Sequence, residues 1–143
     1  MNTILDYDKP GMEELPTTAN TGARFVNFIL DRIVSSILGY GGMFGAMAAF
    51  GEESGSVIGL LLFALGYFGY YIIMEYNFEG KTIAKMLTKT RAIQEDGSPI
   101  TLGQAVGRTF ARLIPFEPFS IFFTNGGTAC WHDTLAGTLV VQD

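Results

Sequence analysis

The chain has 143 residues, 48% of them apolar and 16% charged, with a formal net charge of -5. That length allows one domain. The acidic balance leaves no basic groove to neutralise phosphates, which excludes nucleic acid as a partner, and the single cysteine, Cys130, excludes an internal disulfide.

Residues 1–21 are polar and acidic, with Asp6, Asp8, Glu13 and Glu14 among them. They read as a cytosolic tail tied down near Leu15. Thr18, Asn20 and Thr21 offer capping oxygens for the helix that follows. In that helix Arg24, Asn27, Asp31 and Ser35 fall at helical spacing and form one polar stripe. After Arg32 no charge appears until Glu52. A helix over Gly22–Phe50 would be roughly 43 Å long, more than the roughly 30 Å of bilayer hydrocarbon. Its first turns therefore belong at the headgroups, with the stripe turned toward protein. Gly41, Gly45 and Ala49 recur every four residues and predict a face for close helix packing. Ala46-Met47-Ala48 matches a small-x-small cleavage site, but the acidic approach and the Asp31-Arg32 pair argue for a retained helix.

Residues 51–56 form an acidic turn without Lys or Arg, and Val57–Met74 is an uncharged run of spanning length. Tyr67, Tyr70, Tyr71 and Tyr76 crowd its far end, as an interfacial aromatic belt does. Gly59 and Gly66 share a face that can pack on the first helix. Helices over about 22–50 and 56–78 make an antiparallel transmembrane hairpin. Six of the nine Lys and Arg lie between Lys81 and Arg112, which orients that segment and both termini to the cytoplasm.

Lys81, Lys85 and Lys89 are spaced by four, as in a short helix lying along anionic headgroups. Residues 89–94 have strand character, 95–98 signal a turn, and Thr101 can cap a helix from Leu102. Residues 137–141 read as a second strand, expected to pair around Ala92. From Leu102, Val106, Phe110, Leu113 and Ile114 make an apolar face while Arg108 and Arg112 share another, the pattern of an interfacial amphipathic helix. Pro115 and Pro118 interrupt it, and the apolar piece Phe119–Phe123 is too short to span. The alternative is a broken third helix over 102–123, which would put the carboxyl terminus outside and forbid the strand pairing. The expected fold is thus an α-helical membrane protein: a two-helix transmembrane hairpin, an interfacial amphipathic C-terminal helix and a small cytoplasmic β pairing, with the membrane domain over 22–143 and its cap over 79–143.

The ordered motifs resemble the RDD family of small bacterial membrane proteins, named for an arginine and two aspartates. Arg24 and Asp31 match the first two in R-F-V-N-F-I-L-D, and Asp133 the third in W-H-D-T-L-A-G-T-L-V-V. The intervening G-K-T-I-A-K-M-L-T-K-T-R-A-I-Q-E-D-G-S-P-I-T-L is similar to the family's central loop. R-L-I-P-F-E-P-F looks like a subtype seen in Bacteroidota. Ala84 departs from the pattern, standing where the family commonly has glycine. The resemblance implies the bacterial inner membrane and, because cation/proton exchange has been attributed to some members, transport.

Asp31 is the leading candidate for chemistry. A carboxylate near the bilayer is paired, neutralised or used, and its partner is expected on Arg108, Arg112 or His132. It reads either as a proton or cation site or as a buried ion pair fixing register. Asp133 adjoins His132, the only histidine, and Trp131, the only tryptophan. It reads as a proton relay, or as a turn cap paired with an arginine, with Trp131 an interface anchor. Cys130, His132 and Asp133 lack the further soft ligands of a metal site. Glu75 and Glu117 read as interfacial and solvated, or as members of a cation path. With no phosphate loop, nucleophile–base pair or zinc-protease helix, no enzyme, cofactor or metal is expected. Two functions remain: a small cation/proton exchanger or transporter subunit, with Asp31 cycling protons in a homo-oligomer, or a non-transporting scaffold or accessory protein in which Arg24, Asp31 and Asp133 hold the fold. The expected partners are the lipid bilayer, a monovalent cation or proton, and a second copy of the chain.

Overall fold

The computed structural model describes residues 16–114, 119–120 and 130–143. Nearly half of it is one helical run, α1 (Thr21–Asn77). Asn20 caps it as expected: its side-chain oxygen accepts from the Ala23 amide at 2.7 Å. Only Gly51 inside the run leaves helical geometry, at φ 81°. That is the left-handed region glycine enters without a steric penalty. The expected turn over 51–56 is therefore narrower, since residues 52–56 are already helical.

The residues before and after Gly51 lie against one another in reverse order. A Cβ added at Gly55 would sit 2.6 Å from Met47 Cα, one at Gly59 2.8 Å from the Met43 carbonyl, and one at Gly66 2.8 Å from the Leu38 carbonyl. Glycine is what allows backbone to meet backbone here. Gly41 and Gly45 do not take part, because both face open space. Their four-residue spacing was real, but Gly39 and Gly42 carry the contact face on the first arm instead, against Phe63 and Leu62.

α1 is inside-out by the standards of a water-soluble helix. Arg24, Asn27, Asp31 and Ser35 are buried, while Phe25, Val26, Ile29, Ile33 and Ile37 are exposed. Among the described residues, this is the helix long and apolar enough to cross a membrane.

After α1 the chain turns at Glu79 and Gly80, both at positive φ. A Cβ at Gly80 would lie 1.9 Å from the Ala92 carbonyl oxygen, so only glycine fits. α2 (Ile83–Leu87) follows, capped by Thr82. Its expected role along the headgroups is corrected: Lys85 is buried, drawn inward by Glu75. β1 (Thr90–Gln94) and β2 (Thr138–Gln142) pair antiparallel with Ala92 opposite Val140, so the pairing around Ala92 expected from sequence is present. The segment before α1 joins β2, with the Ala19 amide donating to Val140 and Thr17 accepting from Gln142, while the expected tie near Leu15 lies outside the described residues.

α3 (Leu102–Ala111) starts at a capping box in which Thr101 and Gln104 satisfy each other's amides. It buries Ala105, Arg108, Thr109 and Ala111 and exposes Leu102 and Phe110. α4 (Trp131–Ala136) ends at Gly137 in left-handed geometry and leads directly into β2. The proline-broken stretch after Ile114, Glu117 and most of Phe119–Phe123 lie outside the described residues. The cap's apolar core is small: Ala19, Ala92, Ile100, Ala105 and Val140.

Candidate functional site

With so little apolar core, polar groups hold the cap to α1. The centre is a chain of alternating charges. Arg24 Nη1 donates to Asp133 Oδ2 at 2.7 Å, while its Nε and Nη2 donate to the carbonyls of Ala19 and Val140. Three donors of one planar fork thus meet three acceptors, which lysine has no means to do. Asp133 Oδ1 receives Arg108 Nη1, which also reaches Thr138 Oγ1. On its other side Arg108 Nε donates to Glu75 Oε2 at 2.9 Å. Glu75 Oε1 accepts from Lys85 Nζ and from Arg112 Nη2, both at 2.7 Å. The Arg112 guanidinium also lies over the Tyr71 ring, 4.3 Å from its centre.

Burial is nearly complete: Glu75, Arg108 and Asp133 are each 0% exposed. Charges taken this far from water persist only when paired. For Asp133, burial alone would raise the pKa, but His132, Arg108 and Arg24, with the Cys130 amide, outweigh it and hold the carboxyl well below the usual range. Arg108 is held charged in turn: burial opposes the charge, and Glu75 and Asp133 more than compensate. Lys85 goes the other way. Burial and the neighbouring arginines lower its pKa in spite of Glu75.

Asp31 stands apart from this chain, which corrects the expected pairing with Arg108, Arg112 or His132. Its carboxylate is 4% exposed. It accepts from the Tyr70 hydroxyl and the Thr82 hydroxyl, each at 2.6 Å, and from the Ala84 amide at 3.3 Å. All three donors are neutral. They tie the start of α2 to both arms of α1, and two short hydroxyl bonds plus an amide substitute for a counter-ion. Ala84, in the position where glycine was expected, is fully buried and supplies its amide regardless. Nearby, Asn27 donates to Thr90 and accepts from Thr88, so three of the four stripe residues are used on the cap, while Ser35 bonds within α1 to the Arg32 carbonyl and the Tyr71 hydroxyl.

A cavity of about 50 Å³ separates the two parts, lined by Arg24, Asn27, Asp31, Lys85, Arg112, His132 and Asp133 among others. His132 Nε2 is 3.5 Å from Asp133 Oδ1. The ligand atoms of Cys130, His132 and Asp133 come within 4.8 Å of one another. Both Asp133 oxygens already bind guanidinium groups, so a metal ion there would have to displace an arginine and tolerate its charge.

Of the six residues singled out from sequence, Arg24, Asp133, Arg108, Arg112 and His132 come together, and Asp31 meets them only across the cavity. Sequence reasoning missed Glu75 and Lys85. Glu75 is not solvated at an interface; it is the hub for three cations. The available signal was a mismatch: six cations in 81–112 need counter-charge, and Glu75 is the carboxylate at the end of the apolar run that precedes them.

Comparison with known proteins yields no match among curated proteins or solved structures. The RDD family profile matches residues 18–137, from the segment that binds β2 to the residue that ends α4. Arg24, Asp31 and Asp133, the residues that resemble the arginine and two aspartates of the family's name, are all buried at the join between α1 and the cap. The chain belongs to the RDD family.

Proposed function

We propose that this is an integral membrane protein of the bacterial inner membrane that acts as a non-transporting scaffold or accessory protein, with Arg24, Asp31 and Asp133 fastening its cytoplasmic cap to a transmembrane hairpin. Family membership and the exposed apolar surface of α1 support the membrane location. The cation-rich segment 81–112 supports cytoplasmic termini. The exposed Leu102, Phe110 and Leu113 support an α3 resting on the membrane interface.

The observation that carries the structural role is occupancy. Asp133 is bonded by two arginines, and both Asp31 oxygens are taken by hydroxyls. The surroundings hold Arg24, Lys85, Arg108 and Arg112 against Asp31, Glu75 and Asp133, an excess of one positive charge that opposes cation entry. No chemistry in the network calls for an enzyme.

A second reading, a cation/proton exchanger subunit, is favoured by one feature: Asp31 has only neutral donors and shares a cavity with His132. Two helices are a poor conduit, so this reading requires a homo-oligomer. Vesicles reconstituted with the purified chain and a pH-sensitive dye separate the two. The scaffold reading expects no sodium- or potassium-driven proton flux above that of empty vesicles. A flux that Asp31→Asn abolishes, with the fold intact by circular dichroism, would establish the exchanger instead.

A further inference from the structure

Arg32 follows Asp31 but faces away from the buried network. It is exposed, and its guanidinium lies over the Tyr67 ring, 5.4 Å from the centre. Among the described residues no carboxylate pairs with it. It borders a groove of about 290 Å³ between the two arms of α1 and the end of α3. Arg112 borders the same groove. Its Nη2 is committed to Glu75, but its Nη1 is buried and lacks a hydrogen-bond partner among the described residues. Phe63, Tyr67 and Phe68 give the groove an aromatic floor, and Leu113 flanks it.

Two guanidinium groups, with no carboxylate among the described residues that line the groove, select an anion. A guanidinium recognises phosphate through paired N–H donors. The apolar remainder selects a hydrocarbon tail, and exposed Ile33 and Ile37 continue that surface along the first arm. Arg32 also sits where the charged first turns of α1 give way to its uncharged length, the depth at which a basic side chain reaches headgroups. We propose that this groove binds one anionic phospholipid, its phosphate between Arg32 and Arg112 and an acyl chain along Phe63, Phe68 and Leu113. The proposal rests on the membrane location proposed above, and is independent of whether the protein transports.

The test is native mass spectrometry of the full chain in detergent, titrated with phosphatidylglycerol, with phosphatidylcholine of the same acyl chains, and with inorganic phosphate. The expected result is preferential retention of one phosphatidylglycerol. Arg32→Gln should lower that preference about fivefold, the weight of one basic residue at a membrane surface, while Arg32→Lys keeps most of it. Arg32 is exposed and has no ion pair with the cap among the described residues, so these variants are expected to fold. Equal binding of the two lipids, or a preference unaltered by Arg32→Gln, overturns the proposal and leaves the membrane location standing. Saturation by phosphate alone, blocking lipid, identifies a free-anion site and also overturns it. Release of the native chain from membranes by alkaline carbonate removes the membrane location and the lipid site together.

Discussion

Replacing Glu75 by glutamine tests the network at its hub. The side chain keeps its shape and loses one charge. In the native protein Glu75 accepts from Lys85 and Arg112 at 2.7 Å and from Arg108 at 2.9 Å, with no exposure to water. Without it, Lys85 and Arg112 lose their carboxylate partner, and Arg108 is left with Asp133, which Arg24 already binds. Each hydrogen bond to a charged group contributes about 1.5–3 kcal/mol, but the three share one acceptor and do not add. Breaking a buried pair from one side costs about 3–5 kcal/mol, and we expect Glu75→Gln to fall in that range. Lys85 provides a partial escape. Burial already lowers its pKa, so loss of Glu75 favours the neutral amine. Lys85→Met added to Glu75→Gln should therefore restore about 1–3 kcal/mol, the coupling typical of neighbours in one network. The measurement is unfolding in detergent followed by the fluorescence of Trp131, which sits on α4 beside Asp133. Glu52→Gln, on the exposed turn of α1, serves as the control and should leave the transition unchanged. A Glu75→Gln transition within about 0.5 kcal/mol of wild type would mean that the charges at the join do not hold the cap.

Four further outcomes follow from the same geometry. Arg24→Lys keeps the charge and loses the fork that reaches Asp133, Ala19 and Val140 together, so it should destabilise by about 1–3 kcal/mol in the same unfolding assay. The Asp133 carboxyl is depressed in the folded state, so its stabilising effect is complete above the unfolded carboxylate pKa of about 3.9 and is lost as pH falls through the folded value. Melting temperature should hold steady from neutral pH to about pH 5 and then drop, and Asp133→Asn should flatten that acid limb. Gly55→Val places a Cβ 2.6 Å from the Met47 backbone and should separate the arms of α1, read as loss of helical signal on mild heating, whereas Gly41→Ala meets open space and should be neutral or slightly stabilising. Asp31→Asn presents an amide to three donors where only oxygen is welcome, and should cost about 1–3 kcal/mol.

Several elements were readable before any coordinates. The stripe Arg24–Asn27–Asp31–Ser35 announces a buried polar face, because helical spacing alone puts those four together in an otherwise apolar segment. The pairing of β1 with β2 was readable from short β-branched runs, and the caps at Asn20 and Thr101 from local chemistry. What the sequence does not disclose is partner choice across long separations. Asp31 and Glu75 are both carboxylates at apolar boundaries, and nothing local says that the first takes hydroxyls and the second three cations. That division depends on where Gly80 turns the chain, since the turn places Thr82 over Asp31 and Lys85 over Glu75. The glycine face was misassigned for a related reason. Gly41 and Gly45 have the right spacing, yet which side of the first arm meets the second is fixed by the reversal at Gly51.

The ion pair between Arg24 and Asp133 also sets a schedule. Its two residues are 109 positions apart. During synthesis the guanidinium of Arg24 emerges with the first apolar segment and waits for that whole intervening stretch before its carboxylate exists. The cap closes only once Asp133 and the strand β2 that follows it have left the ribosome. A chain truncated just before Asp133 would retain all its apolar residues of α1 and still be an open, unneutralised form, a natural substrate for quality-control proteolysis.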